Sequence, residues 1–234
     1  MAHDTLTNYQ ARDIAALIHP YTNAEAHGRK GPHLIETGEG VHVTDGDGRR
    51  YIEGMAGLWC CGLGFGDAEL IEAAREQLGR LPYYHLFGGR THEPAIELAE
   101  RIKDMYPVPM SKVFYASSGS EANDTQVKLI WYMMNALGRP EKKKIISRKR
   151  GYHGVTLVAA SMTGLPLNHG SFDLPMDFVK HARCPHHWRE AEPGESERDF
   201  SARLAAELDA LIEAEGPETV AAFIAEPVMG AGGV

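Results

Sequence analysis

The stretch Val113-Phe-Tyr-Ala-Ser-Ser-Gly-Ser-Glu-Ala-Asn123 sets a short apolar run of β type directly before a polar turn, Ser117-Ser118-Gly119-Ser120. A helical pattern then continues from about Glu121 to Leu137. The chemistry such a junction offers is anion binding. The N–H groups of a first helical turn lack intrahelical partners, and the macrodipole is positive there. Gly119 lets the backbone come close to a ligand, and Ser118 and Ser120 add hydroxyl donors. No Gly-Lys-Ser/Thr follows the glycine, and the spaced glycines of a dinucleotide fingerprint are missing. The anion that fits is a phosphate monoester of something other than ATP or NAD. Taken alone, the turn reads first as an ordinary helix N-cap.

Two distant segments add to it. Strands are expected at 112–116, 144–148 and 220–225, alternating with helices, which implies a parallel or mostly parallel sheet. Ligands of such sheets sit beyond the carboxyl ends of the strands. There the first strand delivers Ser118, Gly119 and Ser120. The second delivers Tyr152 and His153 within Gly151-Tyr-His-Gly154, and the third delivers Glu226. An anion cradle, an aromatic face and a carboxylate together suit a flat, phosphorylated heteroaromatic ring, which describes pyridoxal 5′-phosphate better than any nucleotide. His153 reads equally as a packed histidine, and Glu226 alternatively as a strand end.

The elements that position these residues are legible from periodicity. Residues 4–19 carry Leu6, Ile14, Leu17 and Ile18 at helical spacing, ending before Pro20. An alternating segment around Leu34-Ile35 and Val41–Thr44, the turn Asp45-Gly46-Asp47-Gly48 and Arg50–Glu53 predict a small hairpin. Gly54–Gly66 is glycine-rich and apolar around Leu58-Trp59-Cys60-Cys61, either a buried connection or a pocket wall with Trp59 as its flat surface. Asp67 caps a helix to about Arg80, and Pro82–Arg90 is a second aromatic and glycine loop. Thr91 and Glu93 open a helix to about Tyr106. A helix is expected near 155–160, a long Pro-, His- and Gly-rich loop over 164–194, and an amphipathic helix from Phe200 to Glu215.

Composition sets bounds. The net charge of −8 is spread along the chain, which argues against nucleic acid or an anionic membrane as partner. Three cysteines, Cys60, Cys61 and Cys184, imply no disulfide framework, and no signal peptide or membrane-length apolar run is present. A cytoplasmic protein is expected. His181, Cys184, His186 and His187 are too cramped for structural zinc and read as a solvated loop, so no metal is expected. Asn123-Asp124-Thr125 is a formal glycosylation sequon on the cofactor helix and reads as incidental.

Ser117-Ser-Gly-Ser-Glu-Ala-Asn123, Gly151-Tyr-His-Gly154 and Glu226-Pro-Val-Met-Gly-Ala-Gly-Gly233, in this order and spacing, resemble the class III aminotransferases. These are pyridoxal-phosphate enzymes of fold type I, often called ω-transaminases. The resemblance implies an α/β fold: a mostly parallel sheet with helices on both faces, plus part of a small α+β domain. Residues 1–66 would supply the small domain's N-terminal segment, and 67–234 the first part of the cofactor-binding large domain. It implies that Ser118, Gly119 and Ser120 hold the cofactor phosphate, that Tyr152 stacks on the ring with His153 beside it, and that Glu226 lies beneath. Tyr21, Leu58, Trp59, Cys60, Phe87 and Ala231 would line a substrate pocket of the amine:pyruvate type. The implied substrates are an amine or ω-amino acid donor and a keto-acid acceptor such as pyruvate, and the implied assembly is a homodimer.

The family's Schiff-base lysine and the aspartate that pairs with the pyridine nitrogen have no counterpart here. Lys142, Lys143 and Lys144 precede a strand, and Lys128 lies within a helix. The chain therefore matches the amino-terminal portion of such an enzyme. Alone it is expected to be inactive and to leave an apolar sheet edge open. Two other readings stay open: an aminomutase on the same scaffold, and a catalytically dead piece that dimerises or binds phosphate.

Overall fold

The computed structural model describes residues 7–233, which divide into two compact units, one running to Glu100 and the other starting at Arg101. Asp4 and Leu6 of the expected first helix lie outside the described residues.

The first unit opens with α1 (Asn8–Ala16), started by a capping box in which the Gln10 N–H donates to Thr7 Oγ1 while Gln10 Oε1 accepts from the Thr7 N–H. Asn23 caps α2 (Ala24–Lys30) by accepting from the Ala26 N–H. The expected hairpin is present as β2 (His42–Asp45) and β3 (Arg50–Ile52). It extends to a three-stranded antiparallel sheet because β1 (Ile35–Glu39) pairs with β2. Asp45, 5% exposed, organises the turn. Its carboxylate accepts from Tyr51 Oη at 2.7 Å, from the Arg49 and Asp47 N–H groups at 2.9 and 3.0 Å, and from His33 Nε2 at 3.2 Å. A single left-handed turn, α3 (Ala56–Trp59), follows. Asp67 caps α4 (Ala68–Arg80), and α5 (Glu93–Met105) carries the chain into the second unit.

The second unit is built on β4 (Lys144–Arg148), which lies between β5 (Val179–Ala182) and β6 (Val220–Phe223), parallel to both. Its centre reads buried at Ile145, Ile146 and Ser147, as a strand covered on both faces should. The helices of this unit are α6 (Gly119–Ala136), α7 (Leu157–Met162), α8 (His187–Glu190) and α9 (Glu197–Glu215). Val127 of α6, Ile145 of β4, Met162 of α7 and Val179 of β5 form the core, with Trp131, Phe178, Ala222 and Ile224 packed on it. No helix among the described residues is long and apolar enough to cross a membrane.

Two expectations are corrected. Residues 112–116 belong to no strand: the apolar pattern is there, but a β segment needs a neighbour to complete its ladder, and none of the described strands pairs with it. The long loop of 164–194 is also not structureless. It contains β5, which pairs with β4 from Ile145↔Val179 to Arg148↔Ala182, so His181 lies on a strand. Four residues reading Val-Lys-His-Ala carry too little apolar signal to be seen from sequence. The expected helix near 155–160 runs slightly later, at 157–162.

Two outcomes follow from this packing. Ile145, 1% exposed, sits in the core, so Ile145→Ala should cost about 3 kcal/mol in urea unfolding. Leu167→Ala, at a side chain 85% exposed, should stay within about 0.5 kcal/mol. In the first unit, the Tyr51 hydroxyl foremost, then the Arg49 N–H, His33 and the Asp47 N–H, hold the Asp45 carboxyl well below the usual carboxylate range, against the opposing effect of burial. A depressed folded value means that this stabilisation is complete above the ordinary carboxylate pKa of about 3.9 and drains away as pH falls toward the folded one. Thermal melts in a pH series should therefore show acid loss of stability below about pH 5, and Tyr51→Phe should make that loss shallower.

Candidate cofactor cradle

The three segments singled out by sequence meet in the second unit. Ser118, extended at φ −153 and ψ 162, caps α6 by accepting from the Glu121 N–H, and Glu121 reaches back to accept from the Ser117 N–H at 2.8 Å. The helix begins at Gly119, whose N–H and that of Ser120 precede its first i→i−4 acceptor. A Cβ built at Gly119 would meet nothing within 4 Å, so the face of this first turn opens onto free space.

The loop after β4 lies against that turn. Ser120 Oγ accepts from the Val155 N–H at 3.0 Å, and Asn123 Nδ2 donates to the His153 carbonyl at 2.6 Å. Asp124 Oδ1 accepts from Thr156 Oγ1 at 2.8 Å and from the Ala159 N–H at 3.0 Å, capping α7 from a neighbouring helix. Gly154 is required for this closeness. It has φ +122, and a Cβ there would stand 2.5 Å from Ser120 Oγ and 2.9 Å from Ser120 Cα.

Glu226, past the end of β6, completes the rim. Its Oε1 accepts from the Tyr152 N–H at 2.8 Å and its Oε2 from the Gly230 N–H at 2.9 Å. The guanidinium of Arg148, the last residue of β4, donates to the Glu226 carbonyl, and Arg150 Nε donates to the Gly232 carbonyl at 2.8 Å. A Cβ at Gly232 would lie 1.7 Å from the Arg150 carbonyl oxygen, so only glycine fits. Ala231 is exposed in this same turn. Glu226 is thus a staple between two loops, with both oxygens engaged by backbone.

His153 turns inward. It is 8% exposed; its N–H donates to Thr163 Oγ1 at 2.8 Å, and its ring Nε2 is buried without a hydrogen-bond partner. Burial first, and Arg148 after it, push the imidazole below its usual value, while the charge of Glu226 acts the other way. Sequence reasoning missed Asn123, Asp124 and Thr163. The clue for the first two was present: polar side chains one turn inside an apolar helix, set aside as a sequon.

Two members of the histidine and cysteine group set aside as zinc ligands have other partners. His187 Nε2 pairs with the Glu195 carbonyl, and Cys184 Sγ lies 3.9 Å from Met229 Sδ. Burial raises the Cys184 thiol above its ordinary pKa. A cavity of about 850 Å³ beside His169, His181, Arg183 and Glu207 includes none of Ser120, Tyr152 or Glu226.

The expected pocket residues Tyr21, Leu58, Trp59, Cys60 and Phe87 belong to the first unit, and all are exposed. The loop around Trp59 is not the buried connection that was the alternative reading, since Leu58 and Trp59 are 62% and 64% exposed. Ala56, Gly57, Leu58 and Trp59 have φ of 48, 60, 57 and 66, three of them at non-glycine residues. Left-handed backbone of this kind is costly and persists where its surroundings impose it. Here the Glu53 carboxylate accepts from the Met55 N–H at 3.1 Å and from the Gly57 N–H.

The family described as aminotransferase class-III matches residues 24–234. A mitochondrial γ-aminobutyrate transaminase 1 of Solanum lycopersicum is 58% identical over 204 residues, covering 87% of this chain and 40% of that protein. A vanillin aminotransferase of Capsicum chinense is 55% identical over 204 residues, covering 87% of this chain and 44% of its own length. The ω-transaminase of Pseudomonas jessenii, solved in complex with PMP, superposes with a TM-score of 0.95 at 57% identity, over 97% of this chain and 50% of that one. The chain thus spans half or less of the length of these relatives. Matched from residue 24 to residue 234, and sharing more than half its aligned residues with such enzymes, it belongs to the class III aminotransferases, of fold type I.

Proposed function

We propose that the complete protein is a pyridoxal-phosphate transaminase that moves an amino group from an amine or ω-amino acid to a keto acid such as pyruvate, working as a homodimer. The observation that carries this reading is the convergence on one rim of the first turn of α6, the Tyr152 loop and Glu226 through the Ser120–Val155 and Tyr152–Glu226 hydrogen bonds. The residues fit the cofactor's chemistry. The open face at Gly119, two unpaired helix-start N–H groups and the Ser118 and Ser120 hydroxyls suit a phosphate ester. Both hydroxyl oxygens accept from backbone N–H groups, which leaves their protons to donate outward.

When bound, pyridoxal phosphate supplies the aldehyde that takes up the amino group and an electron-withdrawing ring. The chain's part is positioning. Ser118, Gly119 and Ser120 would hold the ester and Tyr152 would lie toward the ring, while buried His153 braces the loop through its N–H to Thr163. Glu226 fixes Tyr152 by its backbone, so its role is indirect. Tyr21, Leu58, Trp59, Cys60, Phe87 and Ala231 are proposed to shape the substrate side.

The lysine run that opens β4 is engaged away from this rim. Lys142 Nζ donates to the Pro217 carbonyl, Lys143 Nζ to the Trp131 carbonyl and Asn135 Oδ1, and Lys144 Nζ pairs with Glu215 at 2.8 Å, all around the amino end of β4. The 234-residue chain supplied with pyridoxal phosphate, an amine and pyruvate is therefore expected to form no alanine, read by a coupled alanine assay. The complete protein is expected to form it. Absence of alanine formation by the complete protein with any amine or ω-amino acid would overturn the assignment. In that complete protein, Ser120→Ala should weaken cofactor retention about tenfold, roughly 1.4 kcal/mol, read by cofactor released on dialysis. Glu226→Gln should weaken retention through its altered hold on the Tyr152 and Gly230 N–H groups, and unchanged retention in both variants would remove the cradle from the assignment.

A further inference from the structure

The first unit holds a cluster that the transaminase reading does not use. Asp13 lies on α1, His19 follows that helix, and His27 lies on α2. Their ligand atoms all lie within 4.8 Å of one another. Both imidazoles turn the same nitrogen to the same carboxylate: His19 Nε2 is 2.9 Å from Asp13 Oδ1 and 3.0 Å from Oδ2, and His27 Nε2 is 2.9 Å from Oδ1. The two rings stand 4.4 Å apart, tilted by 42°. Side-chain exposure is 16% for Asp13, 13% for His27 and 34% for His19, so the group is largely shielded yet open on the His19 side.

We propose that Asp13, His19 and His27 form a binding site for a divalent transition metal of the zinc class, with an open position for water or a small ligand. Two imidazole nitrogens and one carboxylate oxygen make a donor set that suits such ions, and three protein ligands leave a fourth place free. The two histidine–carboxylate edges of 2.9 Å are a few tenths of an ångström short of the roughly 3.3–3.6 Å between tetrahedral ligands bonded at about 2.0–2.2 Å to one ion, and the His19–His27 edge lies within 4.8 Å, so small side-chain shifts seat an ion. The segments that carry the ligands are braced without the ion. Thr22 Oγ1 donates to the Pro20 carbonyl at 2.9 Å, the Asn23 cap starts α2, and Gln10 Nε2 of α1 donates to the Pro32 carbonyl at 3.1 Å beyond α2. The competing explanation is a hydrogen-bonded latch in which both rings donate Nε2–H to Asp13. A latch needs those protons, whereas a metal needs them gone, so the two readings diverge in experiment.

The test uses the complete protein, with Co²⁺ alone as the probe, followed by Zn²⁺ in competition. The expected result is one equivalent of Co²⁺ bound with visible d–d bands that Zn²⁺ abolishes, and a rise in melting temperature with Zn²⁺. Asp13→Asn, which keeps an acceptor for the latch, and His27→Asn should each weaken binding at least about tenfold, and the more exposed His19→Asn should do likewise. The double variant His186→Asn with His187→Asn should bind as the parent does. A folded chain with no saturable Co²⁺ binding would overturn the proposal. So would binding that survives Asp13→Asn and His27→Asn unchanged, or is lost only in the His186/His187 variant.

Discussion

The two oxygens of Glu226 each take a backbone N–H from a different place, Tyr152 after β4 and Gly230 after β6, and the rim of the second unit depends on this arrangement. A charge-assisted hydrogen bond contributes about 1.5–3 kcal/mol and, more to the point, fixes a direction. The bond to Tyr152 ties the exits of neighbouring parallel strands together, and the one to Gly230 fixes the carboxylate within its own loop. The same exits are joined a second time by the Arg148 and Arg150 guanidinium groups, each donating to a carbonyl of the facing loop. The Tyr152 loop is then pinned on its other side to α6 through Ser120 and Asn123. Helix start, aromatic loop and carboxylate are therefore parts of one hydrogen-bonded circuit.

That circuit tolerates almost no side-chain bulk where its loops cross. Gly154 lies on Ser120, Gly164 on the Arg148 carbonyl, and Gly232 on the Arg150 carbonyl, with room for no Cβ at any of the three. Gly154, Gly164 and Gly232 thus do steric work, letting neighbouring segments pass closer than any side chain would allow. The glycine at the helix start serves a different end, because its surroundings are open and its smallness faces outward.

The motif residues of this rim were legible because each sits at a change of texture, from apolar run to small polar turn. β4 was readable as Lys144–Arg148 because its middle is apolar and bounded by charge. β5 was not, because its sheet membership comes from the register with β4 and not from its own four residues. The opposite failure occurred at 112–116, where local pattern promised a strand and the tertiary partner was missing among the described elements. Asp13, His19 and His27 escaped notice for a third reason. They are 6 and 8 residues apart across a helix end and a turn, so only the fold shows that their side chains face one another.

β6 has β4 along one side and no described strand along the other. Val220-Ala-Ala-Phe223 contains neither charge nor proline, and Phe223 is 45% exposed, so nothing along it discourages a like edge from docking. Wherever that flank stays bare, the amides on it are a template, and two copies of the chain can complete each other's ladder. Self-association of the 234-residue chain is then a matter of concentration, which light scattering reads directly.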